Sequence, residues 1–374
     1  MKKIIRSTNR GCYKLLFVVS VLILSFCKCS ESANRCHSGS EFKVNTVFAK
    51  DQSESSVATF EDGRFVVAWE SYDQDGSGSG IYAQLFDGNG SREGSEFKVN
   101  TVFANDQSQP SVATFEDGRF VVAWESDDQD GSGSGIYAQL FDDSGSKEGT
   151  VFRVNTVIAN DQSQPSVATF EDGKFVVVWE SDGQDGDSSG IYAQLFYADG
   201  TKKDSEFQVN THFSDNQQNP SIATFIDGQF AVVWGSEKQD GEGLGIYCQV
   251  FYADGTKKGT EFQVNYTTSD QQSPSIATFQ DGEFIITWES ENQDGGYGIY
   301  GQVFGADGTK KGTEFQANNS TTSKKQSSSV ATFQDGQFII TWESENQDGD
   351  GYGIFGQVFN ADRTKKKQEF QVNS

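Results

Sequence analysis

The sequence predicts an all-β chain: a six-bladed β-propeller with four antiparallel strands in each blade and one extra terminal strand. Six tryptophans give the first indication. Trp69, Trp124, Trp179, Trp234, Trp288 and Trp342 lie 55, 55, 55, 54 and 54 residues apart, and no other Trp occurs. The same order of strand and turn signals recurs around each of them, so residues 41–374 are one unit copied six times. A period of this size in strand-rich units is a mark of propellers. Finally, helix signals are absent and 40 glycines punctuate short apolar runs. A unit of about 54 residues is too short for an immunoglobulin sandwich and too small to hold a core alone. Stacking the units would bury both faces of each sheet.

The second copy shows the elements in order. Residues 111–115 (SVATF) form a run with small alternate residues that suits a crowded innermost strand. Asp117-Gly118 follows as a two-residue hairpin signal. Residues 120–126 (FVVAWES) are the second strand, and its Trp is expected between neighbouring blades. The loop 127–135 leads to a third strand at 136–141 (IYAQLF). The turn 142–149 leads to a fourth at 152–155, and 156–165 return to the next copy. Pro110, Pro165, Pro220 and Pro274 share one column just before the first strand. The Glu-Phe-x-Val-Asn strand occurs seven times, at residues 41, 96, 151, 206, 261, 314 and 369, against six of the others. The surplus copy at 42–45 is expected near the C-terminal blade.

Residues 1–30 read as a signal peptide: Lys2, Lys3, Arg6, Arg10 and Lys14 precede an apolar run from Leu15 to Phe26, followed by small and polar residues. Residues 31–40 read as a linker. Secretion is the expected localisation, with no membrane span after cleavage. The leader holds six of the 29 Lys and Arg and no acid, so cleavage leaves 23 bases against 54 acids, a net charge of −31. Such a surface repels nucleic acid and anionic lipid, and those partners are set aside. Of the cysteines, Cys36 and Cys248 would remain. A bridge between them is open, but Cys248 stands where other copies have Ala or Gly and reads as a small buried residue.

Positions the copies keep are the candidates for chemistry. Gln84, Gln139, Gln194, Gln249, Gln302 and Gln357 lie mid-way along the third strand. Bridging to a neighbouring blade is the expected role, with ligand binding as the alternative. The loop after the second strand carries Gln-Asp-Gly in every copy. Its amides, Gln74, Gln129, Gln184, Gln239, Gln293 and Gln347, are the candidate ligand-binding set. Its carboxylates are the candidate metal set: Asp73, Asp75, Asp128, Asp130, Asp185, Asp187, Asp240, Glu242, Asp294, Asp348 and Asp350. Glu70, Glu125, Glu180, Glu289 and Glu343 end the preceding strand, and Gly235 replaces them in the fourth copy. Calcium takes six to eight oxygens, so calcium is the candidate cofactor. An Asx-turn in a solvated loop explains the same residues.

Alternating strand direction places these loops on one face with Asp51-Gln52, Asp106-Gln107, Asp161-Gln162 and Asn216-Gln217. Asp and amide groups there can bond sugar hydroxyls. The opposite face carries the Asp-Gly turns and Lys pairs such as Thr201-Lys202-Lys203, which read as solvated turns. His37 and His212 lie outside the repeated strands, and no Ser/His/Asp or Cys/His set has a telling spacing. Carboxylate pairs are abundant enough to keep a glycosidase open. Asn89, Asn265, Asn318 and Asn319 head N-glycosylation sequons.

The string Ser-x-Ala-Thr-Phe, Asp-Gly-x-Phe, Trp-Glu-Ser, Gln-Asp-Gly, Gly-Ile-Tyr-Ala-Gln and Glu-Phe-x-Val-Asn resembles a repeat of large secreted and surface proteins, mostly bacterial. The resemblance covers residues 41–374 and implies an extracellular propeller-like module, with no particular reaction. The expected function is a secreted, non-catalytic binding or adhesion propeller that recognises a glycan or protein surface. A glycosidase-like enzyme and a self-assembling coat protein are the alternatives.

Overall fold

A computed structural model describes residues 15–19, 21–25, 41–47, 50–102, 105–129, 131–267, 269–291, 296–319, 323–349 and 351–373. The expected signal peptide and linker lie largely outside these. Within them, Leu15–Val19 pairs antiparallel with Val21–Ser25. No described helix is long and apolar enough to cross a membrane.

The protein is a six-bladed all-β propeller. Blade 1 runs through Gln52–Thr59, Phe65–Tyr72, Ser79–Phe86 and Arg92–Lys98. Blade 2 is Gln107–Thr114, Phe120–Asp127, Ser134–Phe141 and Lys147–Arg153, and blade 3 is Gln162–Thr169, Phe175–Asp182, Ser189–Phe196 and Lys202–Gln208. Blade 4 comprises Gln217–Thr224, Phe230–Glu237, Leu244–Phe251 and Lys257–Gln263. Blade 5 comprises Gln271–Thr278, Phe284–Glu291, Tyr297–Phe304 and Lys310–Gln316. Blade 6 is Lys325–Thr332, Phe338–Glu345, Tyr352–Phe359 and Lys365–Gln371. Spatial order follows chain order in every sheet. The chain divides into two compact units, residues 1–177 with 196–203 and 374, and residues 178–195 with 204–373.

In the first unit, Trp124 of blade 2 packs against Val66, Ala68, Ile81, Ala83 and Leu85 of blade 1. In the second, Trp288 of blade 5 meets Val233, Ile246 and Cys248 of blade 4, and Trp342 of blade 6 meets Ile285, Ile299 and Val303 of blade 5. The expected wedge between blades is what these clusters contain. Cys248 is fully buried and, among the described residues, a free thiol; Cys36 lies outside the described residues.

Three local expectations are corrected. The Asp-Gly hairpins are three-residue loops: Gly63 N–H donates to Phe60 O at 3.1 Å and Phe60 N–H to Arg64 O at 2.9 Å. Only the glycine takes positive φ, 91° at Gly63, so this is a type I turn closed by a left-handed glycine rather than a two-residue turn. The prolines lie inside the first strand, not before it. Pro110 follows Gln109, whose φ is 53°, at a register shift between Ser108 and Ser111. A bulge leaves an amide unneeded, and Pro has none to lose. The mid-strand glutamines stay within their own blade: Gln84 Nε2 donates to Leu85 O and Glu93 O, both at 2.9 Å. They fill the bulge where the fourth strand shifts register between Ala83 and Leu85.

The surplus Glu-Phe-x-Val-Asn copy forms no strand at residues 42–45. It lies on blade 1 as the tails of blades 1 to 5 lie on the next blade. Phe42 sits 5.5 Å from Phe86, as Phe97 sits 5.5 Å from Phe141. Val44 is 3 % exposed within the blade 1 cluster. Arg92 holds its carbonyls: the guanidinium donates to Lys43 O at 2.9 Å and Asn45 O at 2.8 Å.

Candidate functional site

The loop between second and third strands was the predicted site, and its groups are mostly engaged in holding the blade. The central carboxylate is tied to the fourth strand. Asp75 forms an ion pair with Lys98. Asp185, Asp240 and Asp348 accept from the side-chain amides of Gln208, Gln263 and Gln371, each at 2.8 Å. In these four blades the partner is the variable residue of Glu-Phe-x-Val-Asn. Within the loop, Asp75 Oδ1 accepts from Ser77 N–H at 3.1 Å and Asp185 Oδ1 from Asp187 N–H at 3.3 Å, which is Asx-turn geometry. The carboxylate also explains the glycine in Gly-Ile-Tyr: a Cβ at Gly190 would lie 2.8 Å from Asp185 Oδ2, and one at Gly245 2.9 Å from Asp240 Oδ2.

The loop glutamines are engaged too. Gln74 accepts from Ser71 Oγ at 2.7 Å and donates to Glu96 Oε1 at 2.6 Å. Gln184 does the same with Ser181 and Glu206, at 2.8 Å each. Gln239 donates to Glu261 and Gln347 to Glu369, both at 2.5 Å. Gln129 accepts from Ser126 at 2.9 Å, but Val151 stands where the others have Glu. The second carboxylate oxygen reaches the preceding tail: Glu261 Oε2 accepts from Thr211 N–H at 2.7 Å, and Glu369 Oε2 from Asn319 N–H at 2.8 Å. These Gln–Glu–tail relays were not foreseen. The sequence signal was the Glu recurring with Thr or Asn fifty residues earlier.

The remaining predicted ligands scatter. Asp73 pairs with Lys50 at 2.9 Å, while Asp128, Asp187 and Glu242 are exposed. Asp130, Gln293, Asp294 and Asp350 lie outside the described residues. No three His, Cys, Asp or Glu side chains gather as a metal set among the described residues. Buried Asn210 shows why the Asp-Gln face is less open than expected: its amide donates to His212 O at 2.6 Å and Gln217 Oε1 at 2.8 Å, while its Oδ1 accepts from Ile191 N–H at 2.8 Å. Asn265 is bonded in the same way and 3 % exposed, so that sequon is closed.

What stays open is the residue before that glutamine. Asp106, Asp161 and Asp270 are exposed at consecutive or near-consecutive blades. One oxygen of each is fixed by the preceding blade: Asp106 by Ser79 N–H at 2.7 Å, Asp161 by Ser134 N–H at 2.9 Å, Asp270 by Leu244 N–H at 3.0 Å. Asn216 takes the same place with Ser189 at 3.4 Å. On the opposite turns, the first Lys of the pair is exposed or half-buried and also reaches the preceding tail. Lys202 Nζ donates to Thr156 Oγ1 at 2.9 Å and Lys257 Nζ to Asn210 O at 3.3 Å, and burial lowers the pKa of Lys257.

The strand-end glutamates are the most perturbed carboxyls. Burial, the chief cause, pushes Glu125 and Glu289 up to about 7, and raises Glu70 as well. Glu70 Oε1 accepts from Ser79 Oγ at 2.7 Å. Burial likewise pushes Tyr82 and Tyr247 up to about 12, with neighbouring carboxylates adding to it.

No family model matches the chain, and no curated protein matches it. Solved structures do. A protein of unknown function from Dyadobacter fermentans has a TM-score of 0.58 at 12% identity, covering 82% of this chain and 94% of that one. The likeness is one of fold. An α-L-arabinofuranosidase of Fusarium graminearum in complex with arabinobiose has a TM-score of 0.55 at 14% identity, over 83% of this chain and 93% of that one. A sialidase from Streptococcus pneumoniae has 0.55 at 8% identity, over 82% and 68%.

Proposed function

We propose an extracellular glycan-binding propeller without catalytic activity, whose binding groups are the exposed aspartates at the blade junctions. The recurrence of Asp106, Asp161 and Asp270, each with one oxygen fixed by the preceding blade, supports this reading best. A carboxylate pinned through one oxygen keeps its other acceptor sites in a set direction, which suits pairs of sugar hydroxyls. Weak sites repeated on one scaffold gain through avidity on a repeated surface. Sugar-processing neighbours of the same fold agree with the ligand class, and the signal-like N-terminus with the compartment. Calcium is not part of this reading, because Asp75, Asp185, Asp240 and Asp348 of its candidate set already hold Lys98, Gln208, Gln263 and Gln371.

The test is the triple variant Asp106→Asn, Asp161→Asn, Asp270→Asn on a glycan array. Asn keeps the structural acceptor, as Asn216 does, so the fold should persist while binding falls by about tenfold or more, roughly 1.4 kcal/mol. Unchanged binding rejects the site. One observation favours an enzyme as the second reading: burial pushes Glu125 up to about 7, into the range where a glycosidase acid keeps a substantial protonated fraction at neutral pH. Turnover of a glycan panel lost in Glu125→Gln would establish it; a panel left intact would remove it.

A further inference from the structure

Residues 41–47 are a peptide seated on blade 1, and of the motif's other six copies the one at residues 369–373 is the most openly exposed. The seat consists of Phe86, Arg92 and Glu96. Phe42 lies on Phe86 at 5.5 Å, Arg92 donates to three successive carbonyls, and Glu96 Oε2 accepts from the amide and hydroxyl of Thr46 at 2.7 and 2.9 Å. The same motif ends blade 6 at residues 369–373, where Ser374 follows as Thr46 follows Asn45. There the apolar side is uncovered. Phe370 is 37% exposed, whereas Phe262 packs 5.4 Å from Phe304 and Phe315 5.2 Å from Phe359 of the next blade. Val372 is partly exposed, while its counterparts Val99, Val154 and Val264 are at 0%.

We propose that residues 369–373 dock on blade 1 of a second copy of this chain, taking the seat its residues 41–47 occupy. The seat reads the motif through an aromatic ring, main-chain carbonyls and a following amide with hydroxyl. Residues 369–374 supply each of these. Docking leaves the donor blade intact, because Gln371 holds Asp348 at 2.8 Å through the other side of the strand. In blade 4 one tail already does both jobs: Gln263 holds Asp240 while Phe262 packs on blade 5. The contact is heterologous, head to tail, so it extends into chains unless the rotation closes. The resident peptide competes as an intramolecular ligand at high effective concentration, so assembly grows with protein concentration and when the Phe42 contact is weakened. This inference does not rest on the glycan reading.

Sedimentation of the full chain over a wide concentration range tests it, with Phe370→Ala and Phe42→Ala beside wild type. Wild type should form oligomers that grow with concentration. Phe370→Ala should remain monomeric throughout, and Phe42→Ala should assemble at about tenfold lower concentration. Near-ultraviolet circular dichroism reports whether Phe42→Ala is folded. If it is not, wild type against Phe370→Ala decides alone, since Phe370 is exposed and its truncation leaves blade 6 packed. Wild type monomeric at every concentration, or Phe370→Ala assembling like wild type, overturns the proposal.

Discussion

Glu261 holds Thr211, fifty residues before it, through both the amide and the hydroxyl, at 2.7 and 3.0 Å. Its other oxygen accepts from Gln239 at 2.5 Å, so one carboxylate joins the tail of blade 3 to the loop of blade 4. Glu261→Ala should therefore destabilise the protein by about 1–2 kcal/mol, less than a buried network of this size, because the bonds to Thr211 face solvent. Urea denaturation measures it. A loss below a few tenths would show the relay to be incidental.

Acid should strengthen the fold around Glu289. Burial raises its pKa from 4.5 to about 7, so the folded state binds the proton more tightly than the unfolded chain does. The resulting stability is fully present below pH 4.5 and is lost as pH rises through about 7. Glu289→Gln carries no such titration. Between pH 5 and pH 8 its unfolding free energy should fall less than that of wild type, by on the order of 2 kcal/mol. Parallel pH profiles for the two proteins would contradict the burial account.

Thermal unfolding in calcium and in EDTA should coincide, since Asp75 is spent on Lys98 and the equivalent aspartates on glutamine amides. A metal at 100 times its Kd would add about 2.7 kcal/mol per site. A calcium-specific rise, absent with magnesium, would return these loops to the metal reading.

Truncating Trp124, at 0% exposure between blades 1 and 2, should cost about 3–5 kcal/mol, with the cavity left behind adding to lost burial. Val112→Ala in the same cluster removes much less volume and should cost less. Denaturation midpoints of the two variants give the ranking, and equal losses would mean that the Trp is no wedge.

Six blades and the buried Trp column were legible because apolar alternation and the 54–55-residue period survive in every copy. Partnerships were less so. Gln139 looked like a bridge to the neighbouring blade, yet the amide fills a bulge in its own, and bulges leave no mark in a hydrophobic pattern. Lys202 is exposed, as a Lys in a turn usually is, but it also reaches a tail forty-six residues back, which only the three-dimensional stacking reveals. The calcium expectation rested on carboxylate density. Density is visible in sequence, whereas Lys98 and Gln208 are recognisable as partners only once the fourth strand is seen beside the loop.

Many of these hooks between blades end on main-chain carbonyls: Arg92 on Lys43 and Asn45, Lys257 on Asn210, Lys365 on Asn318. A carbonyl is the same whatever side chain it carries. The couplings are thus indifferent to the identity of the neighbouring copy, and a duplicated unit would arrive with working connectors at both ends. That interchangeability lets single copies drift, as at Val151, where the Glu link to the preceding tail is lost, while hooks onto main-chain carbonyls need no matching side chain.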